Sequence, residues 1–535
     1  GLMPSLLDKA GALGLLGLSI PAQYGGMEMG FVSSQLVAEA TGAGNAFAVA
    51  ISAHCGIGTL PILYYGNEVQ KEKYLPKLAT GEWKACYCLT EPNSGSDANS
   101  GRTKAVLSED GKHYIINGQK MWITNAGFAD VFTVFAKIDN DDTLSAFILD
   151  KSMDGIELNP EEKKMGIKGS STRQVFFNNV KVPVENILGK RKEGFKIALN
   201  ILNIGRVKLG ASAIGASKVV IDRAIQYANE REQFGNPIAQ YGAIKSKLAE
   251  QAIRAYASES AIYRVCQNIE DKINNLIENG KEKPGATLEG IEQFAAECAI
   301  MKVHGSEVLD HVVDEGVQIY GGMGYSAEAP MERAYRDARI NRIYEGTNEI
   351  NRMVVVDIIL KRALKGEIDF MSAAKNVAKE LMTIPDTNGH DVGIFTKEKQ
   401  YVKNFKKSVL MVLGAAAKNL TTNLKNEQEV LMNVADMIIE TYVSESILLR
   451  VEKLTDLRGE DACMTQIAMM KSYIYNANDK IAKASKDALN GFAEGDELRL
   501  MLMGIKRFVK HEPFNIKNAR RAVADRLIGE GKYCF

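Results

Sequence analysis

Four short segments carry residue types that scaffolding alone does not require. The segment with the sharpest chemistry is Arg342-Ile-Tyr-Glu-Gly-Thr-Asn-Glu-Ile350. In it Glu345 stands between Tyr344 and Gly346 in an apolar neighbourhood, and partial desolvation moves a carboxylate towards the basicity of a general base. Taken alone, such a Glu is an ordinary turn residue. Just ahead lies Gln318-Ile-Tyr-Gly-Gly-Met-Gly-Tyr325. Its glycines follow no strand of a βαβ unit, which argues against a dinucleotide-binding turn.

Two further segments suit a flat ligand. In Tyr87-Cys-Leu-Thr-Glu-Pro-Asn-Ser-Gly-Ser-Asp97 an apolar strand runs into a loop of small hydroxyl residues and Gly, able to cradle a phosphate or hydrogen-bond a planar ring. In Gln119-Lys-Met-Trp-Ile-Thr-Asn-Ala-Gly127, Trp122 offers a ring for stacking and Thr124 a hydroxyl on the same strand face; a Trp in a core is the plain alternative. In the fourth, Arg231-Glu-Gln-Phe-Gly235, a cation could meet an anion and Phe234 could cover an apolar patch, with Gly235 capping the preceding helix.

The elements that must position these segments change in texture along the chain. Up to residue 83 helical periodicity, as at Leu6, Ala10, Leu13 and Leu16, alternates with punctuation such as Ile20-Pro-Ala-Gln-Tyr-Gly-Gly. A polar helix from Gln70 is expected to end near Pro76. Residues 84–190 hold short β-branched or aromatic runs separated by Gly, Asn and Asp, the pattern of antiparallel strands. Helices return at 191; Ala211–Arg231 and Tyr241–Gln267 imply an antiparallel bundle, with a turn at Asn279-Gly-Lys-Glu-Lys-Pro-Gly. Residues 366–535 form a separate helical region, with a boundary candidate around Ile384-Pro-Asp-Thr-Asn-Gly-His-Asp391. Four domains follow: 1–83, 84–190, 191–365 and 366–535.

Composition narrows the classes of function. Of 535 residues, 46% are hydrophobic and 25% charged, with 66 Lys+Arg against 66 Asp+Glu, so no global field draws the chain to nucleic acid or membrane. No run of about 18 uninterrupted apolar residues and no basic-then-apolar leader is expected. The 7 cysteines contain no Cys-x-x-Cys; Cys86 and Cys88 read as buried small hydrophobes, and a reducing compartment is expected.

In this order the four segments resemble the acyl-CoA dehydrogenase family over nearly all of 1–365. The resemblance implies a helical domain (with another helix or two ahead of the match to Leu6–Gly26), a central β-domain and a four-helix domain around FAD, with no metal. Residue by residue it implies that Tyr87, Leu89, Thr90 and Ser96 lie beside the flavin, with Ser96 also at the CoA portion. Trp122, Ile123 and Thr124 lie against the ring system. Arg231, Phe234, Gln318 and Gly322 reach the FAD of a neighbouring subunit, hence at least a homodimer, and Thr347 and Glu349 make a further FAD contact. Asn203, Arg206, Tyr344 and Gly346 are implied on the substrate side. Most members carry their base at the position of Glu345 and a minority at the residue before Arg206; here that residue is Gly205, which leaves Glu345. The implied reaction takes the α-proton to Glu345 and the β-hydride to flavin N5. The Glu345 N–H and a ribityl hydroxyl hold the thioester oxygen, and an electron-transfer flavoprotein is the acceptor.

The extension to Phe535 resembles that of the very-long-chain members. Its basic stretches, Lys506-Arg-Phe-Val-Lys and Ala519-Arg-Arg-Ala-Val-Ala-Asp-Arg, are expected either to meet an anionic bilayer surface or to be solvated faces. The small Gly58 and Thr59, in the helix that lines the family's acyl pocket, favour long chains. The expected place is the cytoplasm of a bacterium or the mitochondrial matrix of a eukaryote, with peripheral contact at the inner membrane open. An acyl-CoA oxidase using O2, and an assembly protein on the same fold, are the alternatives.

Overall fold

The computed structural model describes residues 1–381 and 393–535, so the boundary candidate at 384–391 lies outside the described residues. The chain divides into two units: 1–216, 265–294 and 336–346 form the first, and 217–264, 295–335 and 347–535 the second.

The first unit opens with α1 (Leu2–Ala12), α2 (Phe31–Gly42), α3 (Ala46–Ser52), α4 (Leu60–Tyr65) and α5 (Glu68–Thr80), with a π-helical turn at Ala53–Gly58 between α3 and α4. In α1 the buried residues are Leu7 and Ala10, whereas Leu13 is exposed and Leu16 packs from beyond the helix end, so the expected helical repeat stops one turn early. Helix α5 starts at an Asn67/Gln70 capping box and continues through Pro76 to Thr80. The missing proline N–H orphans only the carbonyl of Glu72, on the exposed face, while Tyr74, Leu75, Leu78 and Ala79 bury the opposite one. Packing of that face outweighs the break expected at Pro76.

Eight strands follow: β1 (Ala85–Cys88), β2 (Lys104–Leu107), β3 (His113–Thr124), β4 (Val131–Ile138), β5 (Ser145–Asp150), β6 (Ile156–Leu158), β7 (Thr172–Pro183) and β8 (Ile187–Leu188). They order as β6-β7-β3-β2-β4-β5-β8, with β1 on β4. The ladders are antiparallel except that β4 pairs in parallel with both β1 and β2. The long β3 excursion between them brings the chain back in the same direction, so the sheet is mixed where alternation alone suggests antiparallel strands. Cys86 and Cys88 point into its core as expected, with sulfurs 3.9 Å apart.

Two long helices, α6 (Gly194–Glu230) and α7 (Gly242–Glu278), contribute to both units. By length and composition Ala46–Tyr65 and Gly194–Glu230 could each cross a membrane, although neither is an uninterrupted apolar run; 67% and 72% of their most apolar windows are buried, as in core helices.

In the second unit, α9 (Ala295–Tyr320), which follows α8 (Lys283–Gln293) of the first, precedes α10 (Gly322–Tyr325), α11 (Pro330–Ala338, its last three residues in the first unit), α12 (Asn348–Leu364), α13 (Phe370–Leu381), α14 (Thr396–Leu420), α15 (Gln428–Arg458), α16 (Met464–Asn490), α17 (Gly495–Phe508) and α18 (Ile516–Glu530). Helices α14, α15 and α16 pack on one another, and α12 packs on α9 and α15. Polar seams join them: Arg352 of α12 is bidentate to Glu307 and also meets Asp436, and His304, Tyr473 and Glu440 form a buried chain. In the extension Arg507, Arg520 and Arg526, three of the six basic residues in the two stretches, are engaged by Glu380, Glu250 and Glu530.

Candidate active site

Within the first unit the Tyr344–Gly346 turn meets α6. Glu345 and Gly346 have φ of +59° and +81°, a left-handed pair that only the glycine adopts without strain. A non-glycine residue held there marks a position the surrounding structure over-determines. The carboxylate turns towards Gly205. A Cβ at Gly205 would stand 2.9 Å from Glu345 Oε2 and 3.2 Å from Oε1. The two positions at which the family resemblance allows a base therefore share one small space, which here only Glu345 fills.

Arg206 and Asn203 frame the same turn from α6. Buried Arg206 donates through Nε to the Glu345 carbonyl at 3.3 Å and through Nη1 to Asn203 Oδ1 at 2.9 Å. The guanidinium thus anchors the backbone of the turn. Glu345 Oε2 is buried as well. On the sheet side, Tyr87 is 7% exposed, its ring set edge-on to Phe135 at 4.9 Å. Burial pushes its phenol well above the usual range and the charge of Glu345 adds to the push. Burial and then Glu345 do the same to Tyr344, whose hydroxyl donates to Asn341 Oδ1 at 2.8 Å. Tyr87, Asn203, Gly205, Arg206, Tyr344 and Glu345 are thus brought together.

The loop after β1 is held by a group that sequence reasoning missed. Glu91 accepts from Lys120 Nζ at 2.7 Å, from the Thr103 hydroxyl and N–H, and from Arg102 N–H, while Lys120 also donates to Leu89 O. Burial would raise the Glu91 carboxyl, but Lys120 and the other donors outweigh it and hold it low. The signal available was an acid in a hydroxyl-rich loop and a lysine inside a strand-like run, 29 residues apart. Met121 N–H donates to Thr90 O at 2.8 Å, so this loop and the Trp122 segment are one construction. Leu89 is buried, Thr90 half-buried and Ser96 exposed.

Trp122 departs from the reading of it as a core residue. A bulge between Lys120 and Ile123 puts Trp122 at φ +62° and leaves its ring 52% exposed, so it is not a core Trp. The bulge also interrupts the alternation that would set Trp122 and Thr124 on one regular face. Ile123 buries its side chain in the sheet core, leaving only its backbone for a ligand.

The clamp at residues 164–172 was also missed. Lys164 donates to Ser170 O and to the Thr172 hydroxyl, both at 2.6 Å, Ile167 N–H to Asp337 Oδ1 at 2.5 Å, and Arg336 to Met165 O at 2.7 Å. It fixes the chain eight residues before Glu345.

The second unit holds the remaining predicted residues. Helix α6 ends at Glu230 and a hairpin follows in which Gln233 pairs Asn236, with Phe234 and Gly235 at φ +54° and +79°. Gly235 is therefore the second central residue of a type I′ turn, not the helix cap expected. Phe234 at its tip is 93% exposed, and Arg231, Gln318 and Gly322 are exposed too. Thr347 caps α12, accepting from Ile350 N–H at 3.2 Å, and Glu349 beside it is exposed, its carboxyl lowered first by its own backbone N–H.

Gly58 and Thr59 have packing reasons for their size. A Cβ at Gly58 would lie 2.8 Å from that of Ala85, and the Thr59 hydroxyl donates to His54 O at 2.7 Å. They no longer argue for a long acyl chain. His54 is buried with Nδ1 accepting from Ala85 N–H and Nε2 facing Leu78 O, both at 3.0 Å, and burial lowers it to about 4.

Family models described as the N-terminal, middle and two C-terminal domains of acyl-CoA dehydrogenase match residues 2–82, 86–180, 192–360 and 404–507. A probable acyl-CoA dehydrogenase of Bacillus subtilis (strain 168) is 45% identical over 99% of this chain and 89% of its own. The very long-chain specific acyl-CoA dehydrogenase of Rattus norvegicus mitochondria is 43% identical over 64% of this chain, which spans about half (51%) of that relative. A crystal structure of an acyl-CoA dehydrogenase complexed with FAD from Bacillus anthracis superposes with a TM-score of 0.96 at 44% identity, covering 100% of this chain and 90% of that one.

Proposed function

The chain belongs to the acyl-CoA dehydrogenase family, and from that premise we propose that it oxidises long-chain acyl-CoA to trans-2-enoyl-CoA with FAD as cofactor and Glu345 as the base. The residues present fit a flat, polar-edged cofactor. The Trp122 ring stands outward, Gly95 has nothing within 4 Å of where a Cβ would be, and the buried Tyr87 hydroxyl has no hydrogen-bond partner among the described residues. Bound FAD supplies the acceptor for the hydride that leaves the β-carbon.

The chain's own residues do the rest. Glu345 removes the α-proton, which is weakly acidic until the thioester oxygen is held by donors; the Glu345 N–H is one of them. Arg206 keeps the turn from swinging by holding its carbonyl. Tyr87 and Tyr344 shield the carboxylate from bulk water. Thr90, Ser96, Trp122 and Thr124 contact the cofactor; the FAD contacts of Thr347 and Glu349, and those of Arg231, Phe234, Gln318 and Gly322 to the FAD of a second subunit, are the ones the family resemblance implies. Kinship with the very long-chain relative supports the chain length, and an electron-transfer flavoprotein is the acceptor.

The observation that carries this reading is the fit of the Glu345 carboxylate into the space that Gly205 leaves. The test is anaerobic bleaching of the flavin by palmitoyl-CoA. Glu345→Gln is expected to slow it by on the order of 10²- to 10⁴-fold, and unchanged bleaching would remove Glu345 from its role. Rapid peroxide formation in air, with no need of an electron-transfer flavoprotein, would make the protein an oxidase instead.

A further inference from the structure

One charged side chain near this turn belongs to none of the machinery above. Lys208 lies three residues beyond Gly205 on α6, about 4.5 Å along the axis and on the same side of the helix. Gly205 marks where that side meets the Glu345 carboxylate. Ser212, a turn further, marks where it meets α2, its hydroxyl donating to Ala38 O at 3.0 Å. Lys208 stands between these points, half-buried, inside the first unit.

Its surroundings offer no counter-charge. No ion pair or hydrogen bond engages its ammonium among the described residues, and the ionisable group acting on it is the Cys55 thiol on the π-helical turn. That thiol is pushed up to about 11 by burial and points to Leu15 O, so it stays protonated at neutral pH. Burial accordingly lowers the basicity of Lys208. Other lysines drawn inward are provided for: Lys120 has Glu91, Lys302 has Asn348 Oδ1 at 2.7 Å, and Lys164 has Ser170 and Thr172. A hydrocarbon chain threading past this face would be served by Leu or Met at position 208, because an unpaired ammonium in an apolar place is costly.

We infer that Lys208 is a specificity residue, and that the thioesters this protein accepts include chains bearing a second carboxylate at the far end, whose charge Lys208 meets. The inference rests on the function proposed above, which places the reacting carbons at Glu345. The distal carboxylate would complete an ion pair with little competing water, the setting in which such pairs discriminate most between ligands.

The test uses the full-length, FAD-loaded protein and pairs of saturated acyl-CoA and ω-carboxyacyl-CoA of equal carbon number, from short to long. The readouts are anaerobic flavin bleaching and kcat/KM. At one or more lengths the wild type is expected to use the ω-carboxy partner at least as well as the plain one. Lys208→Met should lower the ω-carboxy to plain ratio of kcat/KM by about 30-fold or more, and Lys208→Arg should restore most of it. Flavin content and thermal unfolding of both variants verify that they fold. A wild type that rejects the ω-carboxy partner at every length, or a ratio that Lys208→Met leaves unchanged, overturns the inference while plain chains still bleach the flavin. Failure of both substrate series overturns the proposed function itself, and the inference with it.

Discussion

Two turns in this molecule share one backbone. Glu345-Gly346 and Phe234-Gly235 both place a large residue and then a glycine in the left-handed region, at φ of +59° and +81° and of +54° and +79°. The first turns its side chain towards α6 and is held there by Arg206. The second projects its ring into solvent from the tip of a two-residue hairpin. The same conformational strain thus serves opposite ends. In the half-buried turn it aims a carboxylate at one small space; in the exposed one it displays an aromatic ring that its own unit does not bury. Strain by itself signals a site, and burial decides whether the site acts within the chain or waits for something outside it.

The comparison is most sharply broken at the buried turn. Glu345→Asn keeps a residue that tolerates positive φ but withdraws the carboxylate. Substrate-driven flavin reduction should fall on the order of 10²- to 10⁴-fold, with thermal unfolding unchanged or slightly raised; retained activity would mean that the turn, not its acid, matters. Next in size is the pair that holds the loop after β1. Lys120→Met leaves Glu91 buried without its counter-charge, held only by Thr103 and the Arg102 N–H, and should cost about 3 kcal/mol in chemical denaturation, an effect with no counterpart at the exposed hairpin.

Acid should also act on the first unit. His54 is neutral in the fold, lowered to about 4 from the ordinary 6.5. Between those values the unfolded chain binds a proton that the native state refuses, so stability rises with pH. The His54 share should therefore be lost as pH falls from about 6.5 towards 4, up to about 3 kcal/mol. His54→Gln should lessen the slope in denaturation measured across the window, leaving the part due to the buried His304 and half-buried His311, also lowered to about 4.

Gly205→Ala is a finer probe. Its methyl would press on the Glu345 carboxylate, whose flexible end can yield, so kcat should drop about tenfold with flavin still bound. The smallest effect is expected at the exposed turn. Phe234→Asn creates the Asn-Gly pair that type I′ turns prefer and should stabilise the fold by about 0.5–1 kcal/mol. Weakened flavin retention in the same variant would show that the ring is kept for binding, whereas unchanged retention would break the parallel between the two turns.

Much of the site was legible because its residues are chemically unusual where they stand. Glu345 in a glycine-flanked apolar run, the hydroxyl loop from Thr90 to Ser96, and the aromatic at Trp122 could all be picked out, and the change of period from helix to strand and back outlined the architecture. Other features were hidden for definite reasons. Helix α5 runs through Pro76 because burial on one face outweighs one lost hydrogen bond. The bulge at Trp122 is a matter of strand register, which residue type does not encode. Glu91 and Lys120 lie 29 residues apart, and only the pairing of segments makes one carboxylate the anchor of a loop.

Sequence, read through the family resemblance, left Glu345 as the candidate base, since a glycine at 205 has no side chain with which to compete. Tertiary structure alone decided that Gly205 and Glu345 occupy one space, that Gly58 is small for the sake of Ala85, and that Lys208 has no counter-charge among the described residues. The division has a physical cause. Chemical identity is carried by each residue separately, whereas proximity, burial and the sharing of a hydrogen bond are properties of residues far apart in the chain and exist only once it has folded.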